Sequence, residues 1–234
     1  MWLSGAALSA GDPVTRYLTA RGIAVREGGL DRLPGSLRYH SEVYNRDARA
    51  KLPCMVATMV TPEGVHVATH RTWLGRDRSG TWVKADGAEL GVPTCNATKV
   101  LGKSGGAFVS IRKGASGKSM AELRLAETVY VTEGIEDALN VAMVKPEARV
   151  IAAYSLGNFG AIQFPAAIET IVIVCDRDDG EREQQLLERA IARQQARGHR
   201  VQIVMPPVGV KDVNAWLLNG VDRSGTSIEE GRAA

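Results

Sequence analysis

Residues 172–180 read Val-Ile-Val-Cys-Asp-Arg-Asp-Asp-Gly, and they complete an apolar run that begins at residue 168. A short, continuous run rich in β-branched side chains is typical of a strand buried on both faces of a parallel sheet. The run gives way to two acids, Asp176 and Asp178, where the chain must leave the strand. The stretch therefore predicts a core strand with carboxylates at its exit.

The surrounding sequence repeats this pattern of a short apolar run followed by a helical period. Three further apolar runs cover residues 128–132, 149–153 and 201–205, and helical patterns cover residues 135–144 and 179–197. Strands that alternate with helices in this way form parallel sheets whose faces are covered by the helices. The second half of the chain is therefore expected to be a Rossmann-like α/β domain with a short parallel sheet.

A third acid, Glu133, ends the first of these apolar runs. In open parallel sheets, ligands bind beyond the carboxyl ends of the strands, so Glu133, Asp176 and Asp178 are expected at one edge. Each acid alone is explained as well or better by the start of a helix, which it would cap or whose dipole it would balance. The combination favours a site for Mg²⁺ or Mn²⁺, since hard cations prefer oxygen ligands. Such a site serves phosphoryl transfer or phosphodiester cleavage.

The first half of the chain, residues 1–127, has the pattern of a smaller, irregular α+β unit. A helix is expected to begin after Asp12, with Pro13 at its first position, and to end just before Gly22. The turn at residues 62–64 predicts a hairpin. Strand patterns cover residues 54–60, 65–72 and 82–84.

Charge is unevenly distributed over the two halves. Residues 1–127 carry 18 Lys and Arg against 11 Asp and Glu, whereas residues 128–234 carry 11 against 15. A basic half beside an acidic half suits a polyanion-binding platform next to a metal site. Ordinary surface solvation explains such a split equally well, so charge alone does not identify a partner.

Composition argues against several classes of protein. No run approaches the roughly 18 apolar residues that span a bilayer, and the first residues lack the basic-then-apolar layout of a secretory signal. Three cysteines, far apart and odd in number, argue against a disulfide framework and a zinc site. A cytoplasmic protein with no membrane partner and no zinc is therefore expected.

The two acid-bearing stretches resemble the signature motifs of toprim domains, which occur in bacterial primases, topoisomerases and certain nucleases. Residues 129–139 read Val-Tyr-Val-Thr-Glu-Gly-Ile-Glu-Asp-Ala-Leu and resemble the first motif, while residues 172–180 resemble the second. The Ser-Leu-Gly-Asn loop at 155–158 and the Lys-Asp-Val-Asn segment at 211–214 are similar to further parts of the primase branch. Ala215 departs from that branch, which often has an acid there.

The resemblance implies a division of roles among the polar residues of the second half. Catalysis and metal binding would fall to Glu133, Asp176 and Asp178. Supporting roles would fall to Gly134, Asp137, Asp179, Asp212 and Asn214.

The first half resembles, less closely, the region that precedes toprim in phage- and plasmid-encoded primase-like proteins. The similar segments are Tyr-Leu-x-x-Arg-Gly at 17–22, Leu-Arg-Tyr-His at 37–40, His-Arg-Thr-Trp-Leu at 70–74 and Lys-Val-Leu-Gly at 99–102. Primases of this kind also carry a zinc-binding module, which the chain lacks, so a shortened chain or a natural core without that module is expected. The resemblance implies contacts to template or nucleotide phosphates from Arg71, Lys84, Lys99 and Lys211.

These features predict a basic N-terminal subdomain at 1–127, a toprim domain at 128–220 and a polar, disordered tail at 221–234. The expected function is a primase-like core that makes short oligonucleotides on single-stranded DNA from nucleoside triphosphates, with a replicative helicase as a partner. Two alternatives stay open. A toprim nuclease would use the same carboxylates with water as the nucleophile. A non-catalytic module would bind DNA or recruit a partner through a vestigial site.

Overall fold

The structure, a computed structural model, describes residues 1–24, 29–90, 95–175, 180–207 and 216. Within the described part of the first half, the strands are β1 (Ala6–Ala7), β2 (Leu37–Asn45), β3 (Ala50–Val60), β4 (His66–Arg76), β5 (Trp82–Lys84) and β6 (Thr98–Gly102). The helices are α1 (Pro13–Ala20) and α2 (Gly87–Leu90). The strands form one antiparallel sheet in the order β1-β2-β3-β4, and β5 and β6 both pair with β4.

Two local predictions for the first half are confirmed. Helix α1 begins at Pro13, and the side chain of Asp12 caps it by accepting a hydrogen bond from the Thr15 amide at 2.7 Å. The β3–β4 hairpin turns through Gly64, whose φ of +85° is a conformation that glycine adopts without steric cost. The sheet has more strands than the sequence predicts, because β1, β2 and β6 lie outside the predicted strand patterns.

The described part of the second half forms an α/β sheet with the strand order β11-β10-β8-β9-β7. Its strands are β7 (Val109–Lys113), β8 (Glu127–Thr132), β9 (Arg149–Ala152), β10 (Ile168–Val174) and β11 (Arg200–Val204), and its helices are α3 (Ile135–Val144), α4 (Leu156–Phe159) and α5 (Glu181–Ala196). The predicted α/β class and the four parallel strands are confirmed. Strand β7 adds an edge that runs antiparallel to β9 and was not predicted. No helix in the described ranges is long and apolar enough to cross a membrane.

The two sheets share one apolar core. On one side it is built by the inner face of the first sheet, with Met55, Ala57 and Leu74, and on the other by α3 and the facing side of the second sheet. A second cluster lies on the far side of the second sheet, under α5. Complete burial of a Leu, Ile or Val side chain contributes about 1.5–3 kcal/mol, so a shared core couples the halves strongly. The first half is therefore packed beside α3, whose start adjoins Glu133.

Candidate active site

Glu133 lies at the carboxyl edge of the second sheet. Strand β8 ends at Thr132, one residue earlier than predicted, and Glu133 follows with an exposed side chain. Strand β8 pairs with β10 in the register that places Val131 beside Ile173. Glu133 and Cys175 are the first residues after β8 and β10, and both line one small pocket. The amide of Cys175 is held by Val204 O at 3.1 Å.

Strand β10 ends at the same carboxyl edge of the sheet as β8, the strand that precedes Glu133. The second acid, Asp176, follows Cys175 directly in the chain. Asp176, Asp178, Asp179, Lys211, Asp212 and Asn214 all lie outside the described residues. Among the residues that the structure describes, no three His, Cys, Asp or Glu side chains are close enough to hold a metal ion. The shared metal site of Glu133, Asp176 and Asp178 therefore stays a prediction.

Backbone hydrogen bonds fix the position of Glu133. Its carbonyl oxygen accepts a hydrogen bond from the Tyr154 amide at 2.9 Å, and Thr132 O accepts one from the Ala153 amide at 2.8 Å. The Thr132 hydroxyl donates to Gly134 O at 2.7 Å. These bonds tie the exit of β8 to the exit of β9, so Glu133 projects from a rigid strand end rather than from a long loop.

Gly134 and Asp137, both expected to support the site, lie at the start of α3. Gly134 is the N-cap, and a β-carbon there would come within 2.8 Å of the Asp137 carboxylate. Glycine thus lets that carboxylate fold back over the first turn, where negative charge is stabilised by the helix dipole.

Tyr154, two residues after the end of β9, has an unusual backbone conformation. Its φ of +70° lies in the left-handed region, which costs a side-chain-bearing residue about 1–2 kcal/mol. The residue is 40% exposed, and its ring meets the ring of His70 edge-to-face at a centroid distance of 6.3 Å. An aromatic side chain therefore stands beside the Glu133 edge, in contact with the first sheet.

Glu136 forms a buried polar contact between the two halves. The residue is 5% exposed, and its Oε1 accepts a hydrogen bond from the Tyr17 hydroxyl at 2.6 Å. The same oxygen lies 3.1 Å from Lys84 Nζ. Nothing in the local sequence marks Glu136 for this role, because its partners Tyr17 and Lys84 lie far away in the chain.

The pKa values of this cluster follow from its burial and charges. Burial by itself would raise the pKa of Glu136, but the Lys84 charge and the Tyr17 hydrogen bond hold that pKa below its usual value. Burial raises the pKa of Tyr17, and the Glu136 charge raises it further. Glu136 is therefore ionised and Tyr17 is the hydrogen-bond donor at neutral pH.

His70 gives stability a pH dependence. Burial lowers the pKa of His70 to about 4, and Lys84 and Arg71 act in the same direction against the opposing charge of Glu136. Between the usual pKa of 6.5 and that value, the unfolded chain binds a proton that the native protein does not, so stability falls as the pH is lowered through this window. We expect the midpoint of thermal unfolding to fall from pH 7 to pH 4.5, and to fall less in His70→Gln.

The matched control is His66→Gln, because His66 lies on the same strand with an exposed side chain. This variant should keep the wild-type dependence of melting temperature on pH. Equal slopes for wild type and His70→Gln would contradict the assignment.

The basic residues singled out from the sequence fall on two faces of the first sheet. Lys84 pairs with Leu74 across β5 and β4 and contacts Glu136, so it lies on the inner face. Arg71 and Lys99 are cross-strand partners on β4 and β6. Their side chains share the face of Trp73, over whose ring the Arg71 guanidinium lies at 4.9 Å. The structure thus separates Lys84 from the other two.

Lys99 and Arg71 lie on the outer face of the first sheet, the face of Trp73, and they differ in their surroundings. Lys99 Nζ is 2.7 Å from both carboxylate oxygens of Asp47. Burial lowers the pKa of Arg71, and its Nε has no hydrogen-bond partner among the described residues. Arg71 is therefore the outer residue whose hydrogen-bonding capacity is left incomplete.

Asn158, in the loop that resembles a toprim element, joins three segments. It accepts a hydrogen bond from the Gly106 amide at 2.7 Å and donates to Ala107 O at 2.7 Å and Ala153 O at 2.8 Å. The side chain thereby links the entry to β7 with the exit of β9. These bonds hold the loop next to the Glu133 edge.

Asn158→Ala is expected to lower the free energy of unfolding by about 2 kcal/mol, because it leaves buried backbone groups without partners. Denaturant titration measures the change. Gln163→Ala, an exposed amide in the same region, should have no effect beyond about 0.5 kcal/mol. Equal stability of the two variants would show that the Asn158 bonds are not important.

Both halves of the chain match known protein-family models. Residues 128–221 match the family model described as a toprim domain, and residues 1–111 match a domain of unknown function, DUF7146. The second half of the chain is thus a toprim domain, as its motifs predicted. No curated protein sequence matches the chain.

Within that class, the chain resembles primase catalytic cores by fold. The primase fragment of the bacteriophage T7 primase-helicase superposes with a TM-score of 0.52 at 17% identity, covering 94% of this chain and 76% of that one. The bacteriophage T7 lagging-strand polymerase assembly with gp4 primase domains gives 0.48 at 18% identity, covering 94% and 87%. The Escherichia coli primase catalytic core gives 0.41 at 12% identity, covering 70% and 47%.

Proposed function

We propose that this chain is the catalytic core of a primase-type nucleotidyltransferase that makes short oligonucleotides on single-stranded DNA. The observation that carries the proposal is the position of Glu133, at the carboxyl edge of a toprim sheet and beside the strand that leads to Asp176. The fold likeness to the T7 primase fragment supports it, because that likeness spans both halves of the chain. A replicative helicase is the partner expected for such a core.

Glu133, Asp176 and Asp178 would hold Mg²⁺ or Mn²⁺. The donor set fits, since these cations take carboxylate oxygens together with phosphates of the substrate, and Glu133 offers an exposed carboxylate on a rigid strand end. A bound ion would supply positive charge that neutralises the triphosphate and favours in-line attack by a 3′-hydroxyl. Gly134 and the bonds around Thr132 keep the Glu133 carboxylate at the edge.

The basic residues would bind phosphates in two places. Lys84 contacts the first turn of α3 through Glu136 and retains a side chain that is 39% exposed, so it is the cation suited to a nucleotide near the edge. Arg71 and Lys99 would hold template phosphates on the outer face of the first sheet, with Lys211 acting from the second half. Arginine and lysine contacts of this type give affinity that decreases as salt is raised.

A template assay tests the proposal. The protein is incubated with single-stranded DNA of mixed sequence, labelled nucleoside triphosphates and Mn²⁺, and the products are separated on a denaturing gel. Template-dependent oligonucleotides support a primase. Shortened DNA without synthesis would instead establish a nuclease, and salt-dependent binding without either product would establish a non-catalytic module.

A further inference from the structure

We infer that the ring of Tyr154 stacks on the base of a nucleotide bound beside Glu133. The inference rests on the proposed function. It assigns contact with the base to a residue that lies outside the two toprim motifs and is not one of the proposed metal-binding acids.

The backbone of Tyr154 is the first observation. Arg49 is the other residue besides glycine with a positive φ in the described ranges, and it lies in the short turn between β2 and β3. Tyr154 instead lies between β9 and α4, at the functional edge of the sheet. Glycine would take this conformation without steric cost. Strained residues of this kind cluster at active sites and ligand clamps, where the surrounding structure holds them in place.

The surroundings of Tyr154 are the second observation. Its amide is bonded to Glu133 O, so the backbone of the proposed stacking residue and that of the proposed metal ligand are held together at 2.9 Å. His70 meets the ring edge-to-face, and the residue as a whole is 40% exposed. The ring is therefore held by a residue of the first sheet, while Tyr154 stays partly open to solvent beside the second sheet.

Stacking suits the reaction that the site would perform. Every nucleobase has a π-face, so an aromatic platform binds all four bases with little preference among them. A template-directed polymerase needs this tolerance, because base pairing with the template selects the nucleotide. A hydrogen-bonding side chain at the same place would favour one base over the others.

Binding of ATP with Mg²⁺, measured by calorimetry without template, tests the inference, and inorganic tripolyphosphate serves as a ligand that lacks the base. In Tyr154→Ala and Tyr154→Gly, the Kd for ATP should rise about tenfold while the Kd for tripolyphosphate stays unchanged. Tyr154→Phe should bind ATP within about twofold of wild type, since the ring is retained. Tyr154→Gly should melt above Tyr154→Ala, because glycine relieves the left-handed backbone.

Three results would overturn the inference. Unchanged ATP binding in the Ala and Gly variants would remove the stacking role, and the proposed function would stand if wild type still makes oligonucleotides. A parallel loss of tripolyphosphate binding would show that the ring only supports the fold. Wild-type protein that binds neither ligand would overturn the proposed function as well.

Discussion

Oligonucleotide synthesis by Glu133→Gln is expected to fall at least about 100-fold below that of the wild-type protein. The amide keeps the shape of the side chain and removes the negative charge that a divalent cation requires. Because the Glu133 side chain is exposed, the melting temperature should change little. Asp176→Asn should give the same loss, since we propose that both acids bind one cation. Calorimetric titration with Mn²⁺ should show weaker binding in both variants.

Glu169→Gln is the matched control for the acids at the carboxyl edge. Glu169 is an exposed acid at the amino end of β10, the strand that leads to Asp176. Its variant should keep wild-type synthesis and wild-type Mn²⁺ affinity. If Glu133→Gln retained more than about a third of the wild-type rate, the carboxylate would not belong to the catalytic site, because an essential charge-stabilising group has a larger effect than that.

Glu136→Ala is expected to lower the free energy of unfolding by about 3 kcal/mol, measured by urea titration. The substitution removes the acceptor of the buried Tyr17 hydroxyl and the partner of Lys84. It also leaves a small cavity at the start of α3, between the two sheets. Lys84 adds little to this figure, because its side chain is 39% exposed and turns to solvent when the partner is lost.

Two further variants separate the contributions to the Glu136 contact. Glu136→Gln keeps an acceptor for Tyr17 and loses only the charge, so it should cost about 1 kcal/mol. Because the folded pKa of Glu136 is held below its usual value, the stabilisation by its charge is complete at neutral pH and disappears as the pH falls through that folded value. The stability of Glu136→Gln should therefore approach that of wild type in acid. A cost below about 1 kcal/mol for Glu136→Ala would contradict the importance of the contact.

The sequence predicted the second sheet well and the first sheet only in part. Strand β10 is buried on both faces, so its continuous run from Ile171 to Val174 is visible without any knowledge of its neighbours. Strand β2 is different, because exposed and buried side chains mix along it and it has a register shift between His40 and Val43. Strand β7 is short, and nothing within five residues specifies an antiparallel partner.

The candidate site, like the fold, could be predicted from the sequence only in part. The position of Glu133 followed from the rule that parallel strands present their carboxyl ends at one edge, and the structure places it there. The contact of Glu136 with Tyr17 could not be predicted, because the two residues are 119 positions apart and the pairing depends on how the two sheets pack. The conformation of Tyr154 is likewise a property of the folded loop, since tyrosine by itself disfavours a positive φ.

The edge strand β7 has a practical consequence for dissecting this protein. It lies before residue 128 in the chain but completes the sheet of the toprim half by pairing with β9. A fragment cut at Thr128 would leave unpaired the backbone groups of β9 that face β7, and exposed strand edges of this kind join to other chains. Such a fragment should self-associate, whereas a fragment that begins before Ala107 would retain β7 as the edge strand that covers β9.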